Sequence, residues 1–217
     1  MSSSPADERS RVGRGATREA LIEATAQIML DEGYAAATSR RVAAKAGVKP
    51  ALVHYYFPRM DDLFVAVLRD KAEAGLQHQR QAMAEAEPLH ALWQLNGAQD
   101  AQLFTEFLAM ANHREAIRSE IISYAMRFRD LEEGAMTLAL KARGIDLELF
   151  PPVVMSMIMG SLARMVFHEQ GLGITRGHDQ ARAFIEQCLE RFEMPSWDPQ
   201  PEIGQHAAPT RFGVEEV

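Results

Sequence analysis

The residues best suited to specific chemistry lie between Thr38 and Arg59. Thr38 carries a hydroxyl that can cap a helix, and Ser39, Arg40 and Arg41 follow it, so a helix dipole and two guanidinium groups can meet one phosphate. Further on, Lys49, Pro50 and Ala51 precede His54 and Tyr55. Pro50 suits the first position of a helix, where its missing N–H costs nothing. Lys49, Pro50, Ala51, His54 and Tyr55 then share the N-terminal turn and exposed side of that helix, within reach of base edges and backbone. Tyr56 and Arg59 are placed for phosphate contacts. His54, as an isolated histidine, can equally cap or pack. All of this is recognition chemistry rather than bond-making chemistry.

Charge follows the same division. Net charge is −7, which by itself argues against a polyanionic partner, yet residues 9–60 sum to +5 and residues 61–217 to −10. Only the N-terminal part suits a partner made of phosphates. Enzyme readings find little support. The histidines form no His-Glu-x-x-His pair, and a single cysteine, Cys188, can build neither a thiolate zinc cluster nor an internal disulfide, so no cofactor or metal is expected. Glu132-Glu133 and Asp61-Asp62 are neighbours along helices and do not face each other as a catalytic dyad. The glycine-rich run from Gly171 follows a helix rather than a strand, unlike a phosphate loop.

The elements that must position these residues are all helical. Prolines leave three long empty intervals, 6–49, 89–150 and 153–194, and apolar residues recur within them at helical spacing, as in Leu21, Ile22, Ala24, Ile28 and Met29. The spacing predicts an all-α fold with helices near 17–32, 39–46, 50–57, 60–86, 89–96, 99–111, 114–143, 151–170 and 178–193. Gly33, Gly47, Gly97, Gly144 and Gly171 each follow a periodic run and are expected to end it in the left-handed conformation. Residues 1–16 are expected as a flexible basic arm in which Arg9, Arg11 and Arg14 can enter a minor groove, and 194–217 as a disordered tail. No long apolar run and no secretory leader are evident, so a cytoplasmic location is expected.

Helices as short as 39–46 and 50–57 cannot stand alone. They must pack through small residues, with Ala43 allowing close approach, Gly47 making the turn, and Val48, Val53 and Phe57 closing a core with Leu21, Ala24, Ile28 and Val42. That is a helix-turn-helix, whose second short helix is presented to a DNA major groove. The ordered set Gly33-Tyr34, Ala37-Thr38, Val42-Ala43, Ala46-Gly47-Val48, Tyr55-Tyr56-Phe57 and Asp62-Leu63 resembles the tetracycline-repressor (TetR) family of bacterial regulators. The resemblance covers residues 17–63. It implies an N-terminal three-helix DNA-reading domain, a C-terminal helical domain (64–193) for ligand binding and dimerisation, and repression relieved by ligand. Two positions depart from the family pattern, in which many members have Ser where Lys49 stands and Lys where Met60 stands. Arg59 is expected to replace the second charge.

Residues 89–193 are apolar on more than one face, as expected of helices that pack inside a subunit and also against a twin or around a cavity. The resemblance implies a homodimer built from 151–170 and 178–193. Phe104, Phe107, Tyr124, Phe128, Met155 and Met159 are the candidates for an adaptable apolar ligand pocket, because thioethers repack around different shapes. The same stripe serves equally as plain core. Arg127, Arg164 and His168 are candidate orienting groups. The expectation is a non-enzymatic regulator that binds double-stranded operator DNA and a mostly apolar effector. The alternative is a helical carrier or enzyme with a vestigial helix-turn-helix.

Overall fold

The computed structural model describes residues 5–85, 87–96 and 100–193. Among them the chain is helical throughout, without strands: α1 (Pro5–Glu32), a single 3-10 turn at Tyr34–Ala36, α2 (Ser39–Lys45), α3 (Pro50–Tyr56), α4 (Met60–Ala82), α5 (Pro88–Asn96), α6 (Asp100–Ala111), α7 (Glu115–Ala142), α8 (Pro152–Gly171) and α9 (His178–Glu193). The start of α1 differs from expectation. Residues 5–16, expected as a flexible arm, are helical from Pro5. Proline is at home in a first turn, and Gly13 and Gly15 masked the helix because each lowers local propensity by about 1 kcal/mol. The side chains of Arg9, Arg11 and Arg14, together with Gly97 and 194–217, lie outside the described residues.

The turn between α2 and α3 is made as its residue types require. Gly47 sits at φ 67°, while the Val48 N–H reaches back to the Ala43 carbonyl (2.9 Å) and the Gly47 N–H to that of Ala44 (3.2 Å). This pair of bonds satisfies carbonyls that the end of α2 would leave orphaned. At the end of α8 the same device falls on Gly173 (φ 80°) rather than Gly171, which remains the last helical residue. Here Ile174 and Gly173 donate to Glu169 and Gln170 at 2.9 and 3.1 Å.

Val42, Ala43 and Val53 are fully buried, each on the inner side of its short helix. They join one apolar cluster with Leu21, Ala24 and Ile28 of α1, Phe57 after α3, Leu63 and Val67 of α4, Leu103 and Phe107 of α6, and Ile117 and Ile121 of α7. The core therefore runs across residue 63 without a break. At the far end of the molecule a second cluster joins α5, α7, α8 and α9 through Leu89, Met136, Leu140, Met159, Ile185 and Leu189. Between these ends α4 and α7 meet along Ala72, Leu76, Tyr124 and Phe128.

Polar bonds fix α6 and α7 to the helix-turn-helix unit. Glu106 Oε2 accepts from the Tyr34 N–H at 2.8 Å, and Gln102 Nε2 donates to the Leu30 carbonyl at 3.2 Å. The second bond serves a carbonyl in the last turn of α1, where a helix lacks its own partners, and the first an N–H at the start of the 3-10 turn that follows. Arg114, ahead of α7, pairs with Asp61 in the first turn of α4 and lies over the Phe64 ring at 5.3 Å.

Two predictions follow from this packing. Removing Glu106 with Glu106→Ala leaves a part-buried N–H without a partner and is expected to cost about 1–3 kcal/mol in urea unfolding, whereas Glu106→Gln keeps an oxygen acceptor and costs less. Equal losses would show that the bond to Tyr34 does not hold α6 to α1. Gly75 in α4 and Gly134 in α7 should also differ. A Cβ at Gly134 meets nothing within 4 Å, whereas one at Gly75 stands 3.1 Å from Phe128 Cζ. Gly134→Ala is expected to stabilise by up to about 1 kcal/mol, and Gly75→Ala by less, in thermal melts.

Candidate functional site

The structure brings the candidate recognition residues together on the surface of α2 and α3. Thr38 caps α2, its Oγ1 accepting from the Arg41 N–H at 3.4 Å. Arg40 and Arg41 are exposed and Ser39 is half-buried. Arg41 is engaged by Glu32 at the end of α1, while Lys45 stands 3.4 Å from Asp31. Neither pair is removed from water, so each is a weak contact that a phosphate can displace.

Around α3 the separation into faces is clear. Val53 points inward with no exposure, Phe57 closes the core, and Arg18 lies 5.3 Å from the Phe57 ring centroid. Lys49, Pro50, Ala51 and His54 point outward, and Tyr55 is 67% exposed. Tyr56 is half-buried against the core and meets Tyr55 edge-on at 5.2 Å. It therefore props the Tyr55 ring rather than standing free beside it. An exposed tyrosine held by a T-shaped contact loses less freedom on binding than a loose one. Arg59 follows α3 with its guanidinium largely exposed. Its N–H donates to Asp62 Oδ2 at 2.9 Å, and its Nη2 lies 3.2 Å from Asp61, so the backbone there is fixed while the charge faces outward. Met60 is half-buried against the core.

The six effector candidates do not converge. Phe104 and Phe107 belong to the cluster around the helix-turn-helix, Tyr124 and Phe128 to the seam between α4 and α7, and Met155 and Met159 to the cluster of α5, α7, α8 and α9. Residues at one helical spacing each face whichever neighbour covers that turn, and a long helix changes neighbours along its length. Arg127 is bound to Glu73 at 2.6 and 3.1 Å, and Tyr124 Oη donates to the same carboxylate at 3.1 Å. The Arg127 hydrogen bond holds the Glu73 carboxyl below its ordinary range. Burial, followed by the Glu73 bond, pushes the Tyr124 phenol up. His168 Nε2 lies 3.1 Å from Thr105 Oγ1.

The structure shows instead a polar pair that the apolar pattern concealed. A narrow cavity of ≈ 10 Å³ is lined by Leu89, Leu92, Met136, Met159, Ser156 and Glu132. Behind it Gln79 Nε2 of α4 donates to Glu132 Oε1 of α7 at 3.0 Å. Gln79 is 5% exposed, and its Oε1 has no partner. The sequence signal available for Gln79 was its place on the inward side of α4, three residues after Leu76 and three before Ala82. A wider groove between α4 and α5 is lined by His78, Gln81, Ala82, Glu85, Ala91, Gln94 and Leu95. It is open to solvent, unlike a site that excludes water. No helix among the described residues is long and apolar enough to cross a membrane, and none of the described residues gathers into a metal-binding group of His, Cys, Asp or Glu.

This arrangement is shared with known proteins. Residues 21–67 match the family described as bacterial regulatory proteins, tetR family. The HTH-type transcriptional regulator BetI of Rhizobium meliloti is 30% identical over 125 residues, which are 52% of this chain and 60% of that protein. The chain thus matches less than two thirds of that relative. A protein from Saccharomonospora viridis solved in complex with choline superposes with a TM-score of 0.68 at 18% identity, over 80% of this chain and 95% of that one. A TetR transcription regulator from Haloarcula marismortui superposes with a TM-score of 0.64 at 19% identity, over 80% of this chain and 96% of that one. The helix-turn-helix segment is thus similar in sequence to that of the tetR family of bacterial regulatory proteins, and the helical body behind it is similar in fold to the solved structures.

Proposed function

We propose that this protein is a homodimeric transcriptional regulator that binds operator DNA through α2 and α3 and is released by a small-molecule effector held in the body of helices behind them. The carrying observation is the outward face of α3, where Lys49, Pro50, Ala51, His54 and Tyr55 stand together on a helix whose inner side is locked in core. In the complex this face enters the major groove, with Tyr55, His54 and Lys49 reading bases and Thr38, Ser39, Arg40, Arg41, Tyr56 and Arg59 taking backbone phosphates. Such a regulator works in the cytoplasm, beside its DNA.

Two further observations support the dimer and the release. Helices α8 and α9 leave Val154, Met157, Ile158, Met165 and Phe184 exposed, the last at 62%. An apolar row of this extent on adjacent helices suits a second copy related by a two-fold axis. Release requires that an effector bind with different affinity to the two arrangements of the recognition helices. A path for it runs along α7, which lines the inner cavity together with α5 and α8 and is preceded by Arg114, the partner of Asp61 in the first turn of α4. That the Saccharomonospora viridis protein was solved with choline supports a small-molecule effector for this body of helices.

Binding of the full chain to genomic DNA fragments, including its own upstream region, at two salt concentrations tests this reading. Wild type is expected to bind selected fragments tightly, and Lys49→Ala and Tyr55→Ala to lose that selectivity while their melting free energies change by less than about 0.5 kcal/mol. Equal, weak and salt-sensitive binding by all three proteins would contradict it and favour a vestigial helix-turn-helix. Arg59→Ala is expected to weaken binding to all sequences alike and to reduce the salt slope by about one. An unchanged slope would remove Arg59 from the phosphate contacts.

A further inference from the structure

Three charged side chains meet where α4 begins. Asp61 Oδ2 lies 3.2 Å from Arg59 Nη2, and Asp61 Oδ1 accepts from Arg114 Nη1. One carboxylate is thus shared by two guanidinium groups, one on each oxygen. The two arginines differ in what else holds them. The Arg59 side chain is 71% exposed, on a backbone fixed by the Asp62 carboxylate, so it can leave Asp61 without moving α4. Arg114 is half-buried, lies over the Phe64 ring at 5.3 Å and stands immediately ahead of α7. Arg118, in the first turn of α7, donates from Nε to the Ala111 carbonyl at 3.1 Å and from Nη2 to that of Asn112 at 3.3 Å. The turn that carries Arg114 therefore travels with the start of α7. The Asp61 side chain is only 25% exposed, which makes its attraction for either arginine stronger than at an open surface.

We infer that Asp61 competes with a DNA phosphate for Arg59, and that Arg114 is the positioning residue that relieves the competition. This rests on the regulator reading above and adds to it the group through which the helical body sets DNA affinity. With Arg114 seated, the Asp61 charge is answered from α7, and Arg59 is free to turn to a phosphate. When the start of α7 withdraws Arg114, the carboxylate keeps Arg59 and the phosphate contact is lost. The two partners of this pair therefore act in opposite directions on DNA binding, whereas losing either partner of an ordinary structural ion pair has the same effect. A pair near water is worth only about a threefold change in an equilibrium constant. A dimer carries two such sites far apart, and two threefold effects multiply to about tenfold in operator affinity. By linkage, bound DNA draws Arg59 away and leaves Asp61 to Arg114, so operator binding and the seated start of α7 favour each other.

The test measures the affinity of the full chain for the genomic fragment that wild type selects, at two salt concentrations. The variants are Arg114→Met, Asp61→Asn, the two combined, and Arg114→Met added to Arg59→Ala. Arg114→Met keeps a carbon chain over Phe64 and is expected to weaken binding about tenfold and to lower the salt slope, as loss of a phosphate contact does. Asp61→Asn is expected to bind as tightly as wild type or tighter. Arg114→Met is expected to have no further effect when added to Asp61→Asn or to Arg59→Ala. Urea unfolding of the same preparations separates lost stability from lost affinity. Where Arg114→Met does not fold, Asp61→Asn alone decides, because a structural pair requires it to bind more weakly and a competitor does not. Weaker binding by well-folded Asp61→Asn, unchanged binding by Arg114→Met, or an Arg114→Met effect that persists in the Arg59→Ala background each overturns the inference. These outcomes leave the regulator reading standing, because wild type still selects its fragment. A wild type that selects none overturns that reading and this inference with it.

Discussion

A helix of seven residues has too few internal hydrogen bonds to persist in water, and both α2 and α3 are of that length. Everything at the recognition end follows from this constraint. The two helices exist only because Val42, Ala43 and Val53 are buried by α1, α4 and Phe57, each of the larger side chains contributing about 1.5–3 kcal/mol. The proposed reading face is accordingly the back of a core. Its outward residues are free to be chosen for a partner because its inward ones carry the stability.

The same core includes Leu103 and Phe107 of α6 and Ile117 and Ile121 of α7. The helix-turn-helix is thus not a bead on a flexible string, and a shift of α6 or α7 reaches it through packed side chains and through the bonds of Glu106, Gln102 and Arg114. At the other end α7 shares its packing with α5, α8 and α9, and the Glu132–Gln79 pair ties it to α4. Close-packed interiors move between discrete arrangements rather than deforming smoothly. Ion pairs on the outer side, such as Arg69 with Glu120 and Lys71 with Glu23, lie near water and add orientation more than stability.

Much of this was legible in the residues. Proline spacing and helical periodicity located nearly every helix to within a few residues, and Gly47 with its small neighbours identified the turn, because these signals act locally. What was not legible depends on which helix lies beside which. Phe104, Tyr124 and Met155 look alike as apolar residues on long helices, yet each meets a different neighbour. Gln79 was hidden for the opposite reason, since a polar residue on an inward face is visible only once its partner Glu132, far along the chain, is known. The helix from Pro5 was concealed by two glycines whose local penalty the rest of α1 overcomes.

The central claim is that two copies of α3 read DNA as a pair. Hydroxyl-radical and methylation footprints on a fragment selected by the protein test it most directly. The account predicts two symmetric patches centred one helical turn, or a multiple of it, apart, with guanine or adenine protection in the major groove. A single patch, or backbone protection with no base affected, would contradict it.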